Sequence, residues 1–396
     1  MKMKKLLALI LAIVMVLSLV ACGGGEDDPV VDNPVDTPDT PDTPDEPATA
    51  PQGQAEVKPF KYGFVSWGTA DEHGRTLNGA LEWAVNAAGG EIVSAQDGFT
   101  PEGQVAAVEN LISAGCNMIS FCTYVGESVV PTISDLCREN GVYWTMWDTG
   151  ISDPEIAAYI AEDPYFVGTT AEDNVVSGYN TMKVLGEKGA KNVIIVRYGS
   201  GIPTCDERCD GAMKYINEVG NINVIDDVII AAVDDYKTTI TNILIAHPET
   251  DAVFMAGGGT SSTTVAEAFK EQGIETFYIG AFDYFDAMGD MLKSGELCAI
   301  NGGHMITSTF SALLAINAYF GTPLADEPVK ITIPYLTLTS YEDYEAYIEN
   351  ASNGAAYTAD EMKQYLVAYN PDLTLDSFQE GVTKWSVADI IARKGG

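Results

Sequence analysis

From Phe60 onward, short runs of consecutive apolar residues alternate with longer segments in which apolar residues recur every three or four positions. The short runs fall at 60–66, 91–95, 117–122, 142–147, 165–167, 192–197, 223–232, 252–256, 276–282, 297–301 and 329–333. The periodic segments between them predict helices over 76–88, 101–113, 171–187, 203–219, 236–246, 260–272, 285–293 and 306–320. A further helix carries Val129, Ile133, Leu136 and Cys137 and is stopped by Asn140-Gly141, whereas 152–163 reads as a linker. Runs apolar along their whole length suit parallel strands covered on both faces. Strict alternation of such strands with helices calls for an α/β architecture. The pattern runs twice, before and after about Asp163, which suggests two similar lobes. The segment from 340 on, rich in Tyr, Asp and Glu, predicts further helices. Ligands of parallel sheets bind beyond the carboxyl ends of the strands, so positions 122–124 and 148–149 are candidate contacts on pattern alone.

The chain has 396 residues, room for two domains of ordinary size, and 46% of them are hydrophobic, enough for substantial cores. Its 21 Lys and Arg stand against 57 Asp and Glu, a net charge of −36. That sign repels nucleic acid and anionic membrane surfaces, so neither is expected as a direct partner. Lys2, Lys4 and Lys5 precede an apolar stretch over 6–20, and Leu19-Val20-Ala21-Cys22 matches the bacterial lipobox. Residues 1–21 are therefore expected to be a signal peptide and Cys22 the lipidated first residue of the mature protein. A membrane-spanning helix needs about 20 apolar residues, more than this stretch supplies. Residues 22–58 follow as an acidic, proline-rich stalk whose composition cannot bury enough apolar surface to fold. The chain is thus expected to be exported and tethered to the cell membrane on its extracytoplasmic side.

With an exported leader and two such lobes in hand, a family resemblance becomes specific. Gly-Cys-Asn-Met-Ile-Ser-Phe over 115–121, Val-Tyr-Trp-Thr-Met-Trp-Asp ending at Asp148, and Glu207-Arg208-Cys209-Asp210-Gly211-Ala212 occur in order. Asp251-Ala252-Val253-Phe254 and Ile279-Gly280-Ala281-Phe282-Asp283 follow. Together they resemble the type I periplasmic sugar-binding proteins, the ribose- and galactose-binding group that serves ABC importers. The resemblance implies two Rossmann-like lobes with parallel sheets joined by a three-crossing hinge. It implies 59–164 plus 302–326 in the N-terminal lobe and 165–301 plus 327–396, with the helical tail, in the other. A small polar solute would sit in the cleft of a monomer and pass to an ABC permease.

In that resemblance Asp148 and Asp283 are the strand-end carboxylates that accept from ligand hydroxyls, and Arg208 is the ligand arginine with its planar fork of donors. As lone residues, either Asp could equally cap a turn and the Arg could sit on a helix surface. Elsewhere the chain departs from the family. Ala70-Asp71-Glu72-His73 stands where Asn-Pro-Phe-Phe is common, so Trp67, Tyr124, Trp147 or Tyr284 are candidates for the aromatic face. Gly257-Gly258-Gly259 replaces a usual Asn, either offering backbone N–H groups to a ligand at Gly258 or simply making a tight turn. Thr149 replaces an Arg, and Asn301 with His304 stands near a usual Gln. Asp71, Glu72, Asp148 and Asp283, answered by Arg208, Arg75 and His73 or His304, would make an acidic cleft. Such a cleft suits a nucleoside or amine-bearing solute as an alternative to a simple sugar.

Cys205 and Cys209 lie one helical turn apart, and an exported chain permits disulfides. With no paired His near them, no metal and no cofactor are expected. The three histidines form no nucleophile–base motif and no GxxxxGK loop is present, so an enzyme is not expected. A receptor that presents its closed form to a membrane signalling protein is the remaining alternative to transport.

Overall fold

The computed structural model describes residues 56–69, 72–199, 202–352 and 356–394. The signal peptide expected over 1–21, the lipidation site Cys22 and all of the expected stalk except 56–58 lie outside the described residues.

The strands, in chain order, are β1 (Lys61–Ser66), β2 (Glu91–Gln96), β3 (Met118–Phe121), β4 (Tyr143–Trp147), β5 (Phe166–Glu172), β6 (Asn192–Arg197), β7 (Asn223–Ile229), β8 (Ala252–Met255), β9 (Tyr278–Phe282), β10 (Leu297–Gly302), β11 (Val329–Ile333) and β12 (Leu336–Leu338). They form two six-stranded sheets, ordered β2-β1-β3-β4-β5-β11 and β7-β6-β8-β9-β10-β12. The order is the same in both, so each strand of one sheet has a counterpart in the other. The first sheet is parallel throughout, and in the second only β12 runs antiparallel, against β10. The chain crosses between the sheets three times: after β5, after β10 and after β11.

Helices follow the strands as α1 (Glu72–Ala87), α2 (Pro101–Ser113), α3 (Val130–Asn140), α4 (Pro154–Ala161), α5 (Asn174–Lys188), α6 (Pro203–Val219), α7 (Tyr236–Ala246), α8 (Ser262–Glu271), α9 (Met288–Ser294) and α10 (Met305–Tyr319). The tail adds α11 (Tyr341–Asn350), α12 (Ala359–Lys363), α13 (Leu375–Thr383) and α14 (Val387–Lys394). Local chemistry sets several boundaries. Thr100 caps α2 by accepting from the Gly103 N–H, with Pro101 in its first turn, and Gly141 ends α3 at φ 66°.

Four expectations need correction. The boundary at 164 is too early: β5 pairs with β4 from Phe166 onward, and the Asp148 N–H donates to the Thr170 carbonyl at 2.7 Å, so the first sheet keeps the chain up to Glu172. Likewise 327–333 belongs with the first sheet, because β11 pairs with β5 over five residues. The helix expected from 171 starts at Asn174, since Ala171 and Glu172 are held in the sheet and Asp173 caps the helix by accepting from the Val176 N–H. The expected linker at 152–163 contains α4, capped by Asp153 with Pro154 behind it.

Helix α10 is buried on all sides, fourteen of its fifteen residues being inaccessible. One side packs on α1, β3, β4 and β5. The tail covers another: the Phe310 ring meets Tyr357, Tyr365 and Phe378 at 5.7, 4.9 and 5.6 Å. A helix this rich in apolar residues, with Ser308, Ser311 and Asn317 buried and hydrogen-bonded among them, is stable in water only when encircled in this way.

Candidate functional site

Because the two sheets share an order, β4 and β9 are counterparts, and each ends in an aspartate: Asp148 and Asp283. Both have left-handed backbones, at φ 66° and 73°. Among the described residues only one other non-glycine residue does so, Phe99 at φ 59°, in the loop after β2. Aspartate tolerates this conformation better than most residues, but the same bend at equivalent strand ends turns a carboxylate out of each sheet. The Asp283 Oδ2 accepts from the Gly258 N–H at 3.0 Å, and the Cys122 thiol lies 4.0 Å from the Asp148 Oδ2. Gly258 itself sits at φ 70°, and a Cβ there would come within 2.9 Å of the Tyr236 hydroxyl. Its N–H is therefore already donated within the protein.

Arg208 lies on α6, which packs on α5 backbone to backbone: a Cβ at Gly178 would fall 1.9 Å from the Arg208 carbonyl oxygen. This close approach buries the side chain, which is 6% exposed. The Nε donates to Asn174 Oδ1 at 3.0 Å, the Nη1 to the Ala256 carbonyl at 2.7 Å and the Nη2 to the Tyr335 hydroxyl. The guanidinium also rests 4.3 Å from the Phe282 ring, directly before Asp283. Burial opposes its charge, but the phenols and carboxylates of Tyr335, Asp283, Tyr198 and Asp148 outweigh that and hold its pKa above the ordinary value. Arg208 thus feels the strand-end carboxylates of both sheets at once.

Glu172 joins this cluster from the end of β5. Its side chain is 6% exposed, and among the described residues no donor group reaches either carboxylate oxygen, its close neighbour being the Asp148 carboxyl. Burial, and then the charge of Asp148, push its pKa well above the usual range against the pull of Arg208. Reading 171–187 as one helix hid this residue; the signal available was Asp173-Asn174, a cap that places Glu172 before the helix.

An aromatic group stands at the ends of β1 to β3. Trp67 lies edge-on to Tyr124 at 5.4 Å and stacked toward Phe99 at 6.4 Å. Phe99 is 64% exposed, and the turn signal Asp97-Gly98 before it was available in the sequence. The buried Asp97 accepts from the Tyr124 hydroxyl, and burial followed by this carboxylate raises the phenol's pKa.

Other expected contacts are engaged inside the protein. Asn301 is fully buried; its Nδ2 donates to Thr181 Oγ1 at 2.7 Å and to the Ala281 carbonyl at 3.1 Å, while its Oδ1 accepts from Thr337 Oγ1 at 2.7 Å. With every polar atom used, it latches α5, β9, β10 and β12 together. The Thr149 hydroxyl accepts from the Thr123 N–H at 3.0 Å and joins the ends of β3 and β4. Trp147 is wholly buried against Phe64, and the Tyr284 hydroxyl donates to the Leu336 carbonyl. His304 occupies the position before α10 without a side-chain capping bond and packs edge-on to Tyr335 at 5.6 Å. Asp71 and the side chains of Glu72 and His73 lie outside the described residues. All six described cysteines are buried free thiols, Cys205 and Cys209 included.

A family model described as a periplasmic binding protein domain matches residues 62–316. The chain belongs to this family. The family is one of binding proteins rather than an enzyme class. Solved periplasmic binding proteins share the fold. A periplasmic sugar-binding protein from Pseudomonas fluorescens superposes with a TM-score of 0.68 at 12% identity, covering 84% of this chain and 99% of that one. An ABC transporter periplasmic solute-binding protein from Actinobacillus succinogenes, solved with D-allose, gives 0.64 at 18% identity, covering 73% and 100%. One from Agrobacterium vitis, bound with alpha-D-tagatopyranose, gives 0.60 at 18% identity, covering 72% and 95%. No curated protein matches the chain. Among the described residues no helix is long and apolar enough to cross a membrane.

Proposed function

We propose that this periplasmic binding protein captures a small hydroxylated solute, a sugar or sugar-like molecule, between the carboxyl ends of its two sheets and delivers it to an ABC importer. The observation that carries this reading is the pair Asp148 and Asp283, turned out of equivalent strands and both within electrostatic reach of buried Arg208. Carboxylates that accept several hydrogen bonds suit vicinal hydroxyls, and Trp67 with Phe99 and Tyr124 offers ring faces to the apolar side of a sugar. The sugars bound by the structural relatives favour the same class. The protein works as a monomer without catalysis, anchored through lipidated Cys22 beyond a stalk that ends near residue 58. Binding closes the lobes about the three-crossing hinge, driven by contacts that exist only when both strand-end aspartates reach the solute.

Native mass spectrometry of the purified protein tests the reading, with tryptophan-fluorescence titration against monosaccharides. A co-purified solute, or a saturable signal that Asp148→Asn weakens at least about tenfold, is the expected result. A protein that carries no solute and responds to none of them would refute it.

A further inference from the structure

Glu172 is unusual within the cleft. It ends β5, one strand away from Asp148, whose N–H donates to the carbonyl of Thr170, two residues before Glu172. Residues two apart on a strand share a face, and the Thr170 hydroxyl donates to the Thr307 carbonyl in the first turn of α10. Glu172 therefore faces the hinge side, where α10 begins. The titratable and charged groups around it are Asp148 from β4, Cys122 from β3, Arg208 from α6 and Tyr335 between β11 and β12. His304 packs on the Tyr335 ring from the start of α10. Arg208, the cation among these described groups, makes its hydrogen bonds to an amide oxygen, a carbonyl and a phenol, and among the described residues it forms an ion pair with no carboxylate. Among the described residues the carboxyls of Asp148, Asp283 and Glu172 are thus left without a contacting cation.

A neutral solute already has two strand-end carboxylates to accept from its hydroxyls. Beside Asp148, a third carboxyl can ionise only if a cation reaches it, because adjacent like charges in a buried place exclude one another. A metal ion does not fit: among the described residues no three His, Cys, Asp or Glu side chains gather closely enough to hold one. We propose, resting on the receptor reading above, that Glu172 makes the cleft select a hydroxylated solute that carries a protonated amine, such as an amino sugar. On binding, the Glu172 carboxyl releases its proton to solvent and its oxygens accept from the ammonium alongside Asp148. In the unliganded protein, burial and Asp148 keep that proton in place.

Matched pairs test this on the full-length protein: D-glucose with D-glucosamine, D-galactose with D-galactosamine, and D-mannose with D-mannosamine. Titration calorimetry is run in buffers of different ionisation heat. At least one amine is expected to bind about tenfold tighter than its neutral twin. Its affinity should rise between about pH 5 and 7, where the amine stays charged, with a proton released. Glu172→Gln should abolish the slope and weaken the amine about tenfold while leaving the neutral twin within about twofold. Neutral twins that bind as tightly, a flat pH profile in the wild-type protein, or a co-purified neutral solute would overturn the proposal and leave the receptor reading intact. If no member of any pair binds and native mass spectra show no solute, both readings fail. A co-purified amine with the predicted pH slope would support this one even where the three pairs are silent.

Discussion

At the scale of single residues, the proposed function separates side chains that would face a solute from those that build the walls around it. Arg208 would belong to both groups. Its fork meets three acceptors at fixed angles, which a lysine with one compact ammonium cannot reproduce. Arg208→Lys is expected to lower solute affinity at least about tenfold and to destabilise the fold by about 2–4 kcal/mol, as the Ala256 carbonyl and Asn174 amide lose their partner. Urea unfolding and a titration measure the two effects; a variant as stable and as tight as wild type would contradict the account. Glu172 acts in the opposite sense on stability. Its pKa is raised by folding, so the folded state binds the proton more tightly than the unfolded chain. Stability is then lost as pH rises from the unfolded value near about 4.3 through the folded one. The unliganded Glu172→Gln protein should melt higher than wild type at about pH 8, the difference vanishing near about pH 4. A difference independent of pH would count against a buried protonated carboxyl. That Asp148 and Asp283 end strands and Arg208 lies on a helix was legible in the sequence, because each sits beside a strand or helix pattern. The internal engagement of Asn301 was not, because the groups that satisfy it, Thr181 and Thr337, come from 120 and 36 positions away.

At the scale of elements, the inner strands were legible because parallel strands buried on both faces are apolar nearly throughout, as β8 is and as β3 and β4 are but for Ser120 and Thr145. Three-residue β12 carries too little pattern to be seen, and α4 was hidden although Asp153-Pro154 announces its start. The tail helices were expected but could not be placed. The reason is that α10 is buried on every face, so periodicity does not say which elements cover it. One residue shows the answer. Asn317, buried near the end of α10, donates to the Tyr365 carbonyl at 2.8 Å and accepts from the Val367 N–H at 2.8 Å. Asn317→Ala would leave two backbone groups of the tail unpartnered, each costing about 1–3 kcal/mol. The expected result is a loss of about 2–4 kcal/mol in urea unfolding, with solute affinity nearly unchanged in the folded protein. A loss of affinity with full stability would mean that the tail acts on the cleft and not on the core.

At the scale of the whole molecule, the tail meets elements of both sheets. Helix α13 lies on β11 of the first, where Gln379 accepts from the Thr332 N–H at 3.1 Å and donates to its carbonyl at 2.8 Å. Helix α11 lies on α9 and β12 of the second, and α14 also reaches β12. The tail therefore spans the hinge on the side where α10 is buried, and the two-lobed fold is complete only with it. Removing residues 340–396 would strip the cover from Phe310 and its neighbours. A core aromatic truncated to alanine costs about 3–5 kcal/mol, so Phe310→Ala gives the milder form of the same lesion. Phe310→Ala is expected to unfold at lower urea concentration by that amount. The shortened chain should go further, binding a hydrophobic dye and associating in solution, because the largely apolar face of α10 around Phe310 would meet water. Were the shortened chain to remain monomeric with the unfolding midpoint of the full protein, α10 would have to draw its cover from elsewhere, and the tail would be an appendage instead of the fourth wall of the first lobe's core.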